Sequence, residues 1–370
     1  MNRNLAIIGA SYLQLPLIEK AREMGYTTHV FAWAAGDVGE AAADHFYPVS
    51  IVEKDAIAEK CREIGICGVC SIASDLAAVT VNHVAHRLGL PGNSPECTLK
   101  STNKHRMREA FAAGGDPSPR SLLVDAETDL SGLQLTWPVI VKPLDRSGSR
   151  GISKIGTPAE LPAAIRYAMD QGFEKKALVE EFAEGTEYSV EGISFRGEHH
   201  ILAMTLKYTT GAPHFIETGH LEPAPVDRET FRRASEVVRH ALTTLGIENS
   251  ASHSEIKIDG DGTIRIIEIG GRMGGDCIGS DLVRYSTGID YVRAVIQVAC
   301  GLRPDLTPAG ETCAAEVRYI LTEADLAAYR ELQRSHPETI LRTADAVHPE
   351  RTGKTADSSG RAGCYLVRVG

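Results

Sequence analysis

Apolar positions along the chain alternate between two rhythms. LAIIG (5–9) is an unbroken apolar run ending in glycine and predicts a buried strand. Leu13 to Met24 repeats with helical spacing and stops near Gly25. Residues 27–32 and 66–73 predict further strands, and 54–64 and 75–88 predict helices, the last ending at Gly89. Strands alternating with helices point to a doubly wound parallel sheet, a Rossmann-like α/β domain. The turn cluster PGNSPE (91–96) closes it, which sets a first domain at 1–97. The next helix carries Lys104, His105, Arg106 and Arg108, and GGDPSP (114–119) breaks it. Strands then dominate: 121–124, 138–142, 152–155, 177–182, 187–195, 200–206, 254–258 and 263–269. Helical spacing returns at 158–170, 228–245 and from Ile289 to Cys300. The tail, 301–370, holds a strand at about 313–321, a short helix and a closing strand, CYLVRV. The expected fold class is α/β followed by α+β, with a second domain over 98–300 and the tail completing its body.

Composition narrows the partners. The chain has 370 residues, 43% hydrophobic and 24% charged, which is ordinary for a globular protein. Lys plus Arg is 39 against 49 Asp plus Glu, a formal charge of −10. That balance argues against general nucleic-acid or membrane binding, so an anionic ligand needs a few placed cations. No apolar run reaches the roughly 18–20 residues of a membrane span, and the N-terminus lacks signal-peptide form. A cytoplasmic location is expected. Eight cysteines are too sparse for a disulfide framework. Cys67 and Cys70 form a C-x-x-C on a strand, where residues three apart face opposite ways and chelate poorly.

Several familiar sites are missing. The turn Gly9-Ala10-Ser11-Tyr12 lacks the dinucleotide glycines. Gly353-Lys354-Thr355 has His348 where a P-loop needs its first glycine. G-x-S-x-G and H-E-x-x-H do not occur. Three other elements carry chemistry. In HSEIKIDGDGTIRIIEIGGR (253–272), a turn centred on Gly260 and Asp261 makes a hairpin. That register pairs Glu255 with Ile266 and sets Glu255 and Glu268 as diagonal neighbours on one face, about 7–8 Å apart. Two carboxylates beside an arginine suit a divalent ion that carries phosphates. In TWPVIVKPLDRSGSRGISKI (136–155), a strand presents Lys142 beside a Gly/Ser loop whose amides can cover a polyphosphate. In ALVEEFAEGTEYSVEG (177–192), two strands meet at Glu184-Gly185, where backbone can meet a base edge and Glu187 sugar hydroxyls.

With Lys104 upstream, the order of these elements resembles the ATP-grasp superfamily over roughly residues 1–300. The resemblance implies a preATP-grasp domain followed by an ATP-grasp fold, with a nucleotide lid at about 115–185. It implies ATP and Mg²⁺ (or Mn²⁺) as cofactors. Lys104 and Lys142 would hold phosphates, and Ser147, Gly148 and Ser149 would close over them. Glu180, Phe182 and Ala183 would meet adenine, largely through backbone, and Glu187 the ribose. Glu255 and Glu268 would hold the metal, and Arg272 would touch the transferring phosphate. The superfamily commonly has Glu-x-Asn at the metal strand; here the third position is Gly270.

HFIETGHLEPAP (214–225) and GGRMGGD (270–276) resemble the carboxylate–amine ligases of the L-amino acid ligase group. There a Glu and a His meet the substrates, here Glu217 and His220. The implied partners are a small carboxylate and an amine, with a homodimer as the expected assembly. The implied reaction makes an amide through an acyl phosphate and releases ADP and phosphate. His220 or Glu217 would take the amine's proton, or Glu217 would hold a substrate ammonium. The rival reading is an ATP-grasp carboxylase that activates bicarbonate.

Overall fold

The computed structural model describes residues 3–130, 134–146, 150–212, 215–353 and 360–370. Strands β1 (Asn4–Ile8), β2 (Thr27–Phe31), β3 (His45–Tyr47) and β4 (Gly68–Cys70) form a parallel sheet in the order β3-β2-β1-β4. Both faces are covered, so Leu5, Ala6, Ile7 and Ile8 are all fully buried and the strand reads as an apolar run. The helices Lys54–Ile64 and Asp75–Leu88 end at Gly65 and Gly89, whose φ values of +69° and +64° suit a residue without Cβ. The short helix Val38–Ala42 and β3 were not legible in the pattern, being five and three residues long.

The next helical stretch is two helices, Pro95–Thr102 and Lys104–Gly114. Asn103 separates them, its side chain accepting from the N–H groups of His105 and Arg106 at 3.1 Å each. This cap places Lys104 at the first residue of the second helix. Four antiparallel strands follow: β5 (Ser121–Val124), β6 (Val139–Pro143), β7 (Ser153–Ile155) and β8 (Ala177–Glu181), ordered β5-β8-β6-β7. The helix Leu161–Gln171 packs on them around Val139, Val141, Ile165, Ala168 and Val179, a core of their own. The loop residues Ser147, Gly148 and Ser149 lie outside the described residues.

The remaining strands make one sheet. They are β9 (Thr186–Phe195), β10 (Glu198–Thr209), β11 (Glu217–Glu222), β12 (Ser250–Ile258), β13 (Ile264–Gly270), β14 (Ala314–Tyr319), β15 (Ile340–Thr343) and β16 (Cys364–Val369). Their order is β13-β12-β9-β10-β11-β14-β16-β15, so the tail extends this sheet. The helix Arg228–Leu245 buries Val238, Leu242 and Leu245 against one side. The helix Tyr291–Ala299 shares a core with Leu5, Ile7, Ile193 and Ala251, joining the N-terminal sheet to the large one. Among the described residues no helix is long and apolar enough to cross a membrane.

One buried carboxylate has a consequence for stability. Glu222 is fully buried on β11 and accepts from Thr205 Oγ1 at 2.6 Å and from the Ser286 hydroxyl. Burial pushes its carboxyl up from the usual 4.5 to about 7, outweighing the two hydroxyls. The folded state therefore holds this proton more tightly than the unfolded chain. Its stabilising contribution is complete below pH 4.5 and is lost as pH rises through 7, about 3 kcal/mol for the full shift. Glu222→Gln is expected to raise the melting temperature at pH 8 and to change it little at pH 5, as calorimetry at the two pH values would register.

Candidate active site

A cavity of about 470 Å³ opens where the three sheets meet. Lys104, Lys142, Glu180, Phe182, Ala183, Glu187, Glu217, Glu255, Glu268 and Arg272 all line it. Residues 164 positions apart in sequence therefore touch: Lys104 Nζ lies 2.7 Å from Glu268 Oε1.

The β12–β13 hairpin differs from the expected register. Its turn is a three-residue loop, with Gly262 N–H donating to Asp259 at 3.0 Å and Gly262 at φ +82°. Ile258 then faces Ile264 and Ile256 faces Ile266, one residue out from the expected pairing. A bulge follows at Ile267, so that Glu255 lies directly opposite Glu268 rather than diagonal to it. Without that extra residue Glu268 would oppose Ser254 on the other face. Arg108 fixes the bulge, donating to the Ile267 carbonyl at 2.6 Å. Two oxygen donors facing each other at a cavity wall fit a hard divalent cation such as Mg²⁺.

Gly270 occupies the position where the superfamily's third metal-strand side chain would start. A Cβ there would lie 3.0 Å from Asp75 Oδ1 and 3.3 Å from the Arg272 guanidinium. Those two side chains fill the space, joined by two bonds of 2.8 and 3.0 Å. Asp75 begins the helix Asp75–Leu88, so the N-terminal domain aims Arg272 into the cavity. Sequence reading did not single out Asp75; an acidic first-turn residue is ordinary helix chemistry.

Lys142 is buried and bonds Glu180 Oε2 at 2.6 Å. Burial still draws its ammonium below the usual value, Arg108 adding to this. Glu180 is buried too, and although burial opposes its charge, Arg108 and Lys142 hold its carboxyl down to about 2. Its side chain is thus an anchor for two cations. Phe182 already donates its N–H to Pro138 at 3.0 Å, so that amide is not what a base edge would meet. Its ring instead carries Lys154 Nζ at 3.5 Å and Lys257 Nζ at 4.6 Å from the centroid.

Lys207 was not anticipated. It sits on β10, 2% exposed, and reaches Glu255 at 2.5 Å, Glu217 at 2.9 Å and Glu187 at 3.2 Å. Burial disfavours its charge, yet Glu217 and Glu255 outweigh that and hold it well above the usual value. A lysine at an inward strand position, two residues after buried Thr205, was the available signal. His253 braces Glu255 from the side, 3.6 Å away, with Glu191 at 2.6 Å on its other nitrogen. Burial would neutralise the imidazole, but Glu191 raises it to about 9.

The substrate motif divides. Glu217 lines the cavity, but His220 is fully buried and is not among the described lining residues. Its Nε2 is 4.0 Å from Asp276 Oδ2, and its ring meets Tyr319 edge-on at 5.6 Å. Direct contact of His220 with a substrate does not follow from this placement, because Asp276 is the group that lines the cavity.

Residues 135–281 match the ATP-grasp domain family. Alanine–anticapsin ligase of Bacillus subtilis is 27% identical over 290 residues, 71% of this chain and 60% of that protein. The chain spans little more than half the length of the curated relatives it matches first. The L-amino acid ligase from Bacillus licheniformis superposes with a TM-score of 0.82 at 24% identity, covering 99% of this chain and 93% of that one. N5-carboxyaminoimidazole synthetase from Staphylococcus aureus superposes with a TM-score of 0.78 at 16% identity, covering 100% and 94%. The chain thus carries an ATP-grasp domain in an ATP-grasp fold, behind a parallel α/β sheet.

Proposed function

We propose that this ATP-grasp protein is an ATP-dependent carboxylate–amine ligase that forms an amide bond through an acyl phosphate. The observation that carries the reading is the convergence of Lys104, Lys142, Arg272, Glu255 and Glu268 with Glu217 on one cavity. A carboxylate does not condense with an amine at neutral pH, because its oxygen is a poor leaving group. In the first step a substrate carboxylate oxygen bonds to the γ-phosphorus of ATP, and the bond to the β-phosphate oxygen breaks, leaving ADP. In the second the amine nitrogen bonds to the acyl carbon, the C–O bond breaks, and phosphate leaves while the nitrogen gives up a proton.

Such transfer depends on positioning and charge neutralisation. Lys104 and Lys142 hold phosphate oxygens, and Arg272 meets the transferring group. Glu255 and Glu268 would hold Mg²⁺, which neutralises phosphate charge when bound. Lys104 and Lys207, which pair with Glu268 and Glu255, would then be free to meet phosphate and substrate oxygens. Ala183 and the Phe182 ring would border adenine, and Glu187 the ribose. Glu217 faces the amine; a carboxylate there either holds an ammonium or accepts the proton. The β5–β8 sheet with Ser147, Gly148 and Ser149 would act as the lid that keeps water from the acyl phosphate. The setting is cytoplasmic.

The anchor Asp75 gives a separable test. Asp75→Asn weakens the hold on Arg272, and misplacing one group by about 1 Å can cost on the order of 100-fold. Turnover is expected to fall at least tenfold with the KM for ATP unchanged; equal turnover would remove Arg272 from the reacting centre. The reading as a whole is tested by phosphate release with Mg·ATP across carboxylates and amines, singly and in pairs, with a bicarbonate arm. Release that needs both a carboxylate and an amine supports the ligase. Release driven by bicarbonate and one acceptor would favour the carboxylase.

A further inference from the structure

The tail delivers one charged side chain to the substrate end of the cavity. Arg361, just before β16, donates from Nη2 to Glu217 at 2.9 Å and from Nη1 to Asp276 at 3.0 Å. Its guanidinium carbon lies 3.6 Å from the centroid of the Tyr319 ring, which backs it. Arg361 is 10% exposed, whereas Glu217 and Asp276 are 21% and 25% exposed and line the cavity. The arginine therefore stands behind the two carboxylates and ties them together. Oxygens of Glu217 and Asp276 and a nitrogen of His220 all fall within 4.8 Å of one another. Two carboxylates this close repel unless a cation bridges them, and a guanidinium fork suits that task. Asp276 is held in the left-handed region at φ +54°, a conformation Asp tolerates, which turns its side chain into this cluster.

We propose that Arg361 is the positioning residue of the substrate end. It holds Glu217 and Asp276 as a paired-carboxylate receptor for the cationic nitrogen of the amine-bearing substrate. The charges support a cation there. Two carboxylates face one arginine, and Lys207, the other cation on Glu217, is shared with Glu187 and Glu255. Among the described residues a negative excess is left on the cavity side. The same three groups are a possible metal cluster, but Arg361 already bridges its two carboxylates, so an ammonium fits better than a metal ion. The identity of that substrate rests on the amide-forming reading; the role of Arg361 does not.

The test uses the full chain with Arg361→Gln, Arg361→Lys and the double variant Arg361→Gln/Asp276→Asn, which restores the wild-type net charge of the cluster should the single variant fold poorly. The first readout is the melting-temperature shift given by Mg·ATP, by each amino acid or simple amine, and by Zn²⁺ alone. In the wild type an amino acid or amine is expected to raise the melting temperature. Arg361→Gln should lose that shift and keep the Mg·ATP shift, and Arg361→Lys should regain part of it. In steady state, the KM for the amine-bearing substrate should rise at least tenfold in Arg361→Gln, with the KM for ATP within twofold. A ligand shift without turnover in the wild type would defeat the ligase reading and leave the Arg361 assignment standing. The assignment is overturned if no amine or amino acid shifts the wild type, if Arg361→Gln keeps the shift, or if the KM for ATP rises equally. A shift from Zn²⁺ alone that a separate Asp276→Asn variant abolishes would also overturn it, making the cluster a metal site.

Discussion

Glu268→Gln should lower Mg·ATP-dependent turnover by about 100-fold or more, the scale of losing one electrostatic element of a transition state. Fold should be retained, because the side chain is 30% exposed at a cavity wall and packs no core. Its place depends on the Ile267 bulge, which sets it opposite Glu255. A neutral amide binds Mg²⁺ poorly, and Lys104, 2.7 Å away, loses its partner as well. The metal requirement should shift to higher Mg²⁺ concentration while the melting temperature without ligand stays within a few degrees. Normal turnover in this variant would remove Glu268 from the metal site.

Lys207→Met should be the most destabilising single change in the cavity. Three carboxylates share that ammonium, and it is 2% exposed. Removing one partner of a buried ionic cluster costs about 3–5 kcal/mol, because charge is left uncompensated. Burial raises the carboxyls of Glu217 and Glu255, but Lys207 outweighs it and holds both below the usual 4.5. Their paired charge therefore stabilises the wild type above pH 4.5 and is lost as pH falls through the lowered folded values. The variant lacks this contribution, so the gap between the two proteins should be wide at pH 7–8 and narrow below pH 4.5. Added Mg²⁺ should restore part of the variant's stability, since Glu255 would regain a cation. Chemical denaturation at pH 3 and 8, with and without Mg²⁺, measures both effects. A gap independent of pH would mean that Lys207 acts by packing its stem.

The fold was legible wherever burial and periodicity coincide. The helices over 54–64, 75–88 and 228–245 follow their apolar stripe and end where glycine permits a left-handed residue. Short elements were not legible: β11 was seen only as a motif, because six residues offer little periodicity. The hairpin was foreseen but its register was not. The turn absorbed one more residue than expected and a bulge added another, and neither leaves a mark in hydrophobic pattern. That Lys104, Lys142, Glu255, Glu268 and Arg272 belong together was legible because they keep a recognisable order along the chain, and the structure brings them to one cavity. Asp75, Lys207, Asp276 and Arg361 were not, because each gains meaning only from partners far away in sequence. Arg272 and Asp75 are 197 residues apart, and Arg361 and Glu217 are 144 apart. His220 shows the converse: its motif was visible, but its depth behind Asp276 was set by β10 and β14 on either side.

The central claim is that a carboxylate oxygen attacks phosphorus. It is tested most directly by supplying the reactive carboxylate labelled with ¹⁸O and examining the products by mass spectrometry. The account predicts one ¹⁸O in the released phosphate, ADP as the nucleotide product, and an amide with one labelled oxygen left. Label appearing in AMP, or phosphate free of label, would contradict the acyl phosphate and the roles given to Lys104, Lys142 and Arg272.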